Sequence, residues 1–330
     1  MSSDADRLAL RLGFGVALGF VLGGLSGTPL FFLPPLLTAQ LLAALRQPPT
    51  LRQGLGLVIL IALIGGATLF VAGAFAGQPL VYAALVALMI FAGFLLDTAG
   101  KAMPATFLLI LGCMVPLVAT QSVGAAADVA AALVESAAIA IVAVWVMFAA
   151  FPAPAAAASA ASRADPASPG KALLNTLLLL PVLLTFMVSG STTFVVLIVI
   201  VSVLRLGDRA TAHRAALGLL LGNILGGIVA TVAYNIVIAQ PGVIFFVLVV
   251  LLVALTFGGR IAAGGPQAPI FLLALVTFVI LLGIGVSPLP TDSGAAFTTR
   301  LWNVMLAGAY AVGAISLTAA PRPQLRECRP

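Results

Sequence analysis

The sequence predicts an all-α polytopic membrane protein. It should hold about twelve transmembrane helices in two parallel six-helix repeats, with both termini cytoplasmic. Three observations carry that reading: scarce charge, long apolar runs and an internal repeat. The chain has 330 residues, with 15 Lys and Arg against nine Asp and Glu, so only 7% is charged and 62% is hydrophobic. Mean hydropathy is +1.25. An ordinary soluble domain carries roughly 25% charged residues, and so few charges cannot cover a water-facing surface. This excludes a compact soluble enzyme, a disordered chain and a nucleic-acid binder. The net charge of +6 reads instead as a topology signal, because Lys and Arg mark cytoplasmic loops.

The spans follow from apolar runs broken at Gly, Pro and charge. They are Leu8–Leu25, Pro29–Leu45, Leu55–Phe75, Leu80–Leu96, Met103–Ala119 and Val129–Phe151 in the first half. The second half gives Ala172–Val188, Thr192–Leu206, Ala215–Ile238, Val243–Phe257, Pro266–Gly285 and Phe297–Ala319. A span needs about 20 apolar residues, so twelve nearly exhaust the chain. The opening six residues are acidic and no A-x-A site follows, so no cleavable signal is expected. With the N-terminus inside, the inner loops collect nearly all the cations and the outer loops none; only Arg300 falls on the outer side. Cys113 and Cys328 lie far apart and are not expected to pair.

The halves repeat. TLRQGLGLVILIALIGGATLFVAGAFAGQP from Thr50 parallels TAHRAALGLLLGNILGGIVATVAYNIVIAQP from Thr211. Gly65-Gly66 matches Gly226-Gly227, and Gln78-Pro79 matches Gln240-Pro241. The organisation is therefore residues 1–151 as the first repeat, a Pro/Ala/Ser cytoplasmic linker at 152–170, and residues 171–330 as the second repeat with a short basic tail. Parallel six-span halves are a transporter architecture, with the site expected between them.

Two spans resist being plain helix. The second carries Pro34 and Pro35, which would break the hydrogen-bond ladder mid-span and free carbonyls towards a substrate. The eighth is short. A kink in a tilted bundle is the alternative. Glycines at every fourth residue, Gly15, Gly19, Gly23 and Gly218, Gly222, Gly226, read chiefly as close helix packing. Asn223 either bonds across helices, the favoured reading, or lines a path.

Intramembrane charge is costly and so points to function. Glu135 lies seven residues past Asp128, the expected N-cap of the sixth span; Arg300 lies seven past Ser293 in the twelfth. Three readings compete. Glu135 and Arg300 pair; or Arg300 snorkels outward; or Arg300 attracts an anion while Glu135, together with Asp128, handles protons. Asn303, one turn from Arg300, shares the site in the last reading. At the inner mouth, Arg46, Arg52 and Arg205 are candidates for anion steering. Asp97 with Lys101, and Asp208 beside Arg209, read as topology or salt-bridge clusters with gating as the alternative.

Other chemistry is missing. There is no phosphate-binding G-x-x-x-x-G-K-[ST], no C-x-x-C, no H-E-x-x-H and a single histidine, His213. No enzyme activity, cofactor or metal is expected.

The opening helix RLALRLGFGVALGF, the Pro-containing FFLPPLLTAQLLAAL, the loop RQPPTLRQG and the glycine-paired third span resemble the fusaric acid resistance and aromatic acid exporter superfamily. RLGDRATAHRAALG, GNILGG and the last span with Arg300 continue the resemblance over nearly the whole chain. It is to a compact branch without the large cytoplasmic domain. The resemblance implies proton-driven efflux of small organic, often aromatic, acids across the inner membrane, beside a periplasmic adaptor and an outer-membrane channel. Homo-oligomers and lipid contact fit the same picture; nucleic acid does not. An anion channel-like permease, a major-facilitator-type carrier and a non-transporting scaffold of an efflux assembly are the alternatives.

Overall fold

Hydrocarbon offers no water to backbone N–H and C=O groups, so apolar runs of this length close their hydrogen bonds within helices. The computed structural model describes residues 4–28, 30–75, 77–153, 168–189 and 209–286, with side chains from 217 in the last stretch, and isolated positions at 197, 200–201, 204–205, 302, 306, 309–310 and 313. Ten helices are continuous among the described residues: α1 Asp4–Ser26, α2 Leu33–Ala44, α3 Leu51–Phe75, α4 Pro79–Thr98, α5 Ala102–Ala119, α6 Val123–Ala150, α7 Pro169–Ser189, α8 Arg209–Ala239, α9 Val243–Ala262 and α10 Ala268–Val286. Nine of them are long and apolar enough to cross a membrane; α2 is not. No strand occurs among the described residues. The described residues thus form helices only, and the chain is a multi-pass membrane protein.

Several helices begin a few residues earlier or end later than the apolar runs alone suggest, and at α3 and α6 a polar cap marks the earlier start. At the start of α3, Thr50 and Gln53 form a reciprocal box: Gln53 N–H donates to Thr50 Oγ1 at 3.3 Å and Thr50 N–H to Gln53 Oε1 at 2.9 Å. At the far end of α4, Gly100 turns the chain with a φ of +76° that a side chain would resist.

The eighth and twelfth expected spans lie mostly outside the described residues. Within them, Leu197, Ile200, Val201 and Leu204 are helical and buried at a spacing of one helical face. They share a core cluster with Val86, Ile90 and Phe94 of α4, Leu109 and Cys113 of α5, and Leu179 and Leu183 of α7. Near the other end of the chain, Tyr310 Oη donates to Leu178 O of α7 at 2.6 Å.

The packing is reciprocal. In the first half, α3 and α4 both pack on α5; in the second, α8 and α9 both pack on α10. Across the halves, α1 lies against α9 and α4 lies against α7. Glycines set the close approaches. A Cβ on Gly258 of α9 would meet Ala9 O of α1 at 3.0 Å, and one on Gly222 of α8 would meet Leu273 Cβ of α10 at 2.9 Å. On α1, Gly19 faces Pro35 and Gly23 faces Pro34. Both four-residue glycine stripes are therefore packing surfaces, as small residues permit.

That contact corrects the reading of Pro34 and Pro35. They do not break a ladder mid-span. They occupy the first turn of α2, after Phe32 as N-cap, where a missing N–H costs nothing. Both are buried against the glycine face of α1. α2 is also short: its 12 residues span about 18 Å, well under the roughly 30 Å hydrocarbon thickness.

The antiparallel course of the helices gathers the described cations at one end. Arg7 Nη1 donates to Pro152 O after α6, Trp145 Nε1 of α6 donates to Pro49 O before α3, and Arg205 reaches Asp97 at the end of α4. Arg46, Arg52, Lys101, Lys171 and Arg260 occupy helix termini at this same end. The opposite termini carry no Lys or Arg among the described residues.

Candidate functional site

At the cation-rich end, α2, α3, α5 and α6 leave a cleft of about 250 Å³ between them. Leu41, Leu45, Leu57, Leu60, Met103 and Ile141 line it, with Pro49, Gly56 and Gln53. Gln53 sits at the start of α3, held by its capping box with Thr50. Leu60 lies seven residues further along α3, about 10 Å deeper. Gly56 faces open space: a Cβ there would meet nothing within 4 Å. A bulkier residue would have filled the cleft.

Cations stand at its mouth. Arg46 follows Leu45 in sequence and Arg52 precedes Gln53; both are exposed, with no ion-pair partner among the described residues. The loop that carries them is fixed at two points, by the α3 cap and by the 2.8 Å bond from Trp145 Nε1 to Pro49 O. The site is an apolar slot with positive charge at its rim. Such a slot is complementary to an amphipathic anion.

Arg205 has a different setting from the other two inner-mouth arginines. Its Nη2 and Nε donate to Asp97 Oδ1 at 2.6 and 2.9 Å, and Nη1 donates to Thr106 Oγ1 at 2.8 Å. Asp97 therefore pairs across 108 residues of sequence rather than with Lys101 four residues on. Lys101 is exposed beside the start of α5. The helix-surface spacing suggested the local pair; the tertiary partner wins because the guanidinium offers several donors in one plane.

Glu135 lies deeper than expected. Asp128 is not the N-cap of α6. Ser122 is, its hydroxyl accepting from Ala125 N–H at 3.3 Å. The apolar Val, Gly and Ala residues that follow Ser122 let the helix start six residues earlier. Glu135 is then 13 residues beyond the cap, about 19 Å along the axis. The register against α3 agrees. Gly54 faces Ile141 and Trp145, and Gly65 faces Ala130, so Glu135 falls level with the middle of α3. Asp128, Ala131, Ala138 and Val142 form an exposed stripe at helical spacing, and Glu135 sits partly exposed within it. It has no hydrogen-bond or ion-pair partner among the described residues. Arg300, Asn303 and Asp208 lie outside the described residues, and so does any pairing of Glu135 with Arg300.

Asn223 bonds across helices. Thr277 Oγ1 of α10 donates to Asn223 Oδ1 at 3.0 Å, and Asn223 Nδ2 donates to Leu219 O at 2.7 Å; both side chains are buried. Two residues given little weight in the sequence prove notable. Thr106 holds Arg205. Arg11 is only 5% exposed, with its guanidinium 4.6 Å from the Phe148 ring centroid and Nε donating to Arg7 O at 3.3 Å. Its signal was present: it is a cation one turn inside the first apolar run.

No curated protein and no solved structure matches the chain. Residues 8–147 are similar to a family described as Protein of unknown function (DUF2955), a match that runs from the first turns of α1 to the last turn of α6.

Proposed function

We propose that this chain is a secondary transporter that exports small organic acids across the inner membrane, with proton coupling through Glu135. The observation that carries this reading is the cleft. Its lining is apolar, its only side-chain amide is Gln53, and Arg46 and Arg52 stand at its rim. A volume of about 250 Å³ lies just below the usual range of roughly 300–1,000 Å³ for small-molecule pockets. It suits a single-ring acid better than a large conjugate. The resemblance to aromatic acid exporters supports the same class of cargo.

Two further features support a carrier. The reciprocal packing of α1 on α9 and α4 on α7 is what two parallel six-helix repeats related by a pseudo-two-fold axis would produce, and the sequence match ends with the first six helices. Such halves can rock about a shared site. Glu135 supplies a carboxyl at mid-depth, where an ionisable group is costly to keep without a role. The cations gathered at one helix end support a cytoplasmic position for that end.

The test is flux of benzoate in proteoliposomes holding the purified protein, with and without a pH step. The reading requires saturable flux that responds to the pH step. Unsaturable benzoate current without proton dependence would make the protein an anion channel. Absence of benzoate movement under either condition would remove the organic-acid reading.

A further inference from the structure

We propose that Arg11 binds the phosphodiester of an anionic phospholipid in the seam between α1 and α6, at the cation-rich end. The site is separate from the cleft and does not depend on the organic-acid reading.

Arg11 is the one buried Lys or Arg among the described residues. A cation taken out of water needs charge or hydrogen bonds in exchange, and the protein supplies few. Nε donates to Arg7 O at 3.3 Å, and the guanidinium lies 4.6 Å from the Phe148 ring centroid. Nη1 and Nη2, which carry most of the N–H donors, have no hydrogen-bond or ion-pair partner among the described residues. They form the planar fork that suits phosphate oxygens. A snorkelling arginine keeps its head in water, whereas this residue is only 5% exposed. It is not sealed either. Among the described residues, the side-chain atoms that are wholly enclosed and lack a partner are Thr28 Oγ1 and Ser136 Oγ. The Nη groups of Arg11 lack a partner and are not among these, so an opening to the outside remains.

Depth and charge point to lipid. Arg11 is seven residues past the start of α1, about 10 Å along its axis, and Phe148 places it against the last turn of α6. Basic pockets between helices on the cytoplasmic side are head-group sites. Beside it, the exposed Phe14 stacks on Phe151, an apolar flank for the acyl chains. Residues 4, 7 and 11 share one face of α1. Asp4 therefore offsets one of the two arginines, and the face keeps a single positive charge. One phosphodiester carries the matching negative charge. Arg7 is already held on Pro152 O. A choline head group would add an ammonium beside Arg7, whereas a glycerol head group adds no charge. The site therefore prefers phosphatidylglycerol, whose phosphate supplies the counter-charge that α1 and α6 lack.

The experiment uses the purified full-length protein in detergent. Native mass spectrometry measures binding of phosphatidylglycerol, phosphatidylcholine and inorganic phosphate, and thermal scans follow Tm with each. The first phosphatidylglycerol should bind about tenfold more tightly than phosphatidylcholine and raise Tm. Arg11→Gln should remove both the preference and the rise in Tm. Arg11→Lys keeps the charge but loses the fork, and should cut the preference by about threefold. Lys171→Gln should keep both effects; it changes an exposed cation at the start of α7, which packs on α4 and α5 instead. Equal affinity for the two lipids in the parent overturns the lipid site, as does an undiminished preference in Arg11→Gln. An equal loss in Lys171→Gln overturns it too, because the attraction is then to a diffuse charged surface. If inorganic phosphate binds the parent as tightly as phosphatidylglycerol and Arg11→Gln abolishes this, the site takes a free anion and the lipid assignment falls. Where Arg11→Gln fails to fold, an unchanged preference in Arg11→Lys is the overturning result. Benzoate flux enters none of these measurements, so their failure leaves the organic-acid reading standing.

Discussion

Gly19→Ala should destabilise the bundle, whereas Gly56→Ala should not. A Cβ on Gly19 would lie 2.6 Å from Pro35 Cα and 2.9 Å from Pro35 N. Those are backbone atoms in a turn fixed by two prolines, so no side-chain rotation relieves the contact. Overpacking of this kind costs about 1–3 kcal/mol. Alanine gains back about 1 kcal/mol of helix propensity over glycine. With backbone as the obstacle, the upper half of the range applies, and a net loss of about 1–2 kcal/mol remains. At Gly56 no atom lies within 4 Å, so only the propensity gain of about 1 kcal/mol is left. The two variants should therefore separate by about 2–3 kcal/mol. At about 2 °C per kcal/mol, the value for large chains, this is roughly 4–6 °C in Tm. Thermal scans in detergent at one fixed heating rate make the comparison, since unfolding there is a rate process. Equal midpoints, or a more stable Gly19→Ala, would show that α1 does not rest on the proline turn of α2.

Gly56→Leu should fill the cleft, abolishing saturable benzoate flux in proteoliposomes while Tm stays within about 2 °C of the parent. Glu135→Gln should remove the response of flux to a pH step and leave benzoate exchange at equal pH; an unchanged response would end the proton-coupling role. Thr277→Val should cost about 1–2 kcal/mol through loss of the buried bond to Asn223. Adding Asn223→Leu should cost less than the two single changes together, measured as a double-mutant cycle from thermal or denaturant unfolding.

The sequence made the helices legible because the polar backbone leaves an apolar run only one way to fold. Their order, approximate ends and charged side followed from composition and from the spacing of Gly, Pro and Arg. Errors arose where a single side chain decides. Asp128 reads as the cap because it directly precedes the apolar run from Val129, yet Ser122 caps as well and the Ala-rich stretch between them extends the helix freely. Pro34 and Pro35 read as a break because sequence alone does not show that the chain before them is a turn rather than helix. The cleft was legible only in part. Arg46 and Arg52 were visible as inner charges, but the slot depends on α5 and α6 meeting α2 and α3, contacts separated by up to 100 residues. The partner of Asp97 was hidden for the same reason. Local spacing favours Lys101, and only the fold brings Arg205 across from the second half.

The contact of α1 with α9 also sets an order of events during synthesis. Gly13 of α1 faces Leu255, and Gly258 of α9 faces Ala9 and Leu12. The first helix made therefore finds this neighbour only after residue 262 has left the ribosome. At translation speeds of about 5–20 residues per second, the intervening chain takes roughly 10–50 s to appear. Through that interval the Ala9, Leu12 and Gly13 side of α1 must sit in lipid or against an insertion chaperone, while its Gly15, Gly19 and Gly23 face already rests on α2. The nascent protein is most vulnerable then, and a ribosome stall before α9 would leave its earliest helix without its seat.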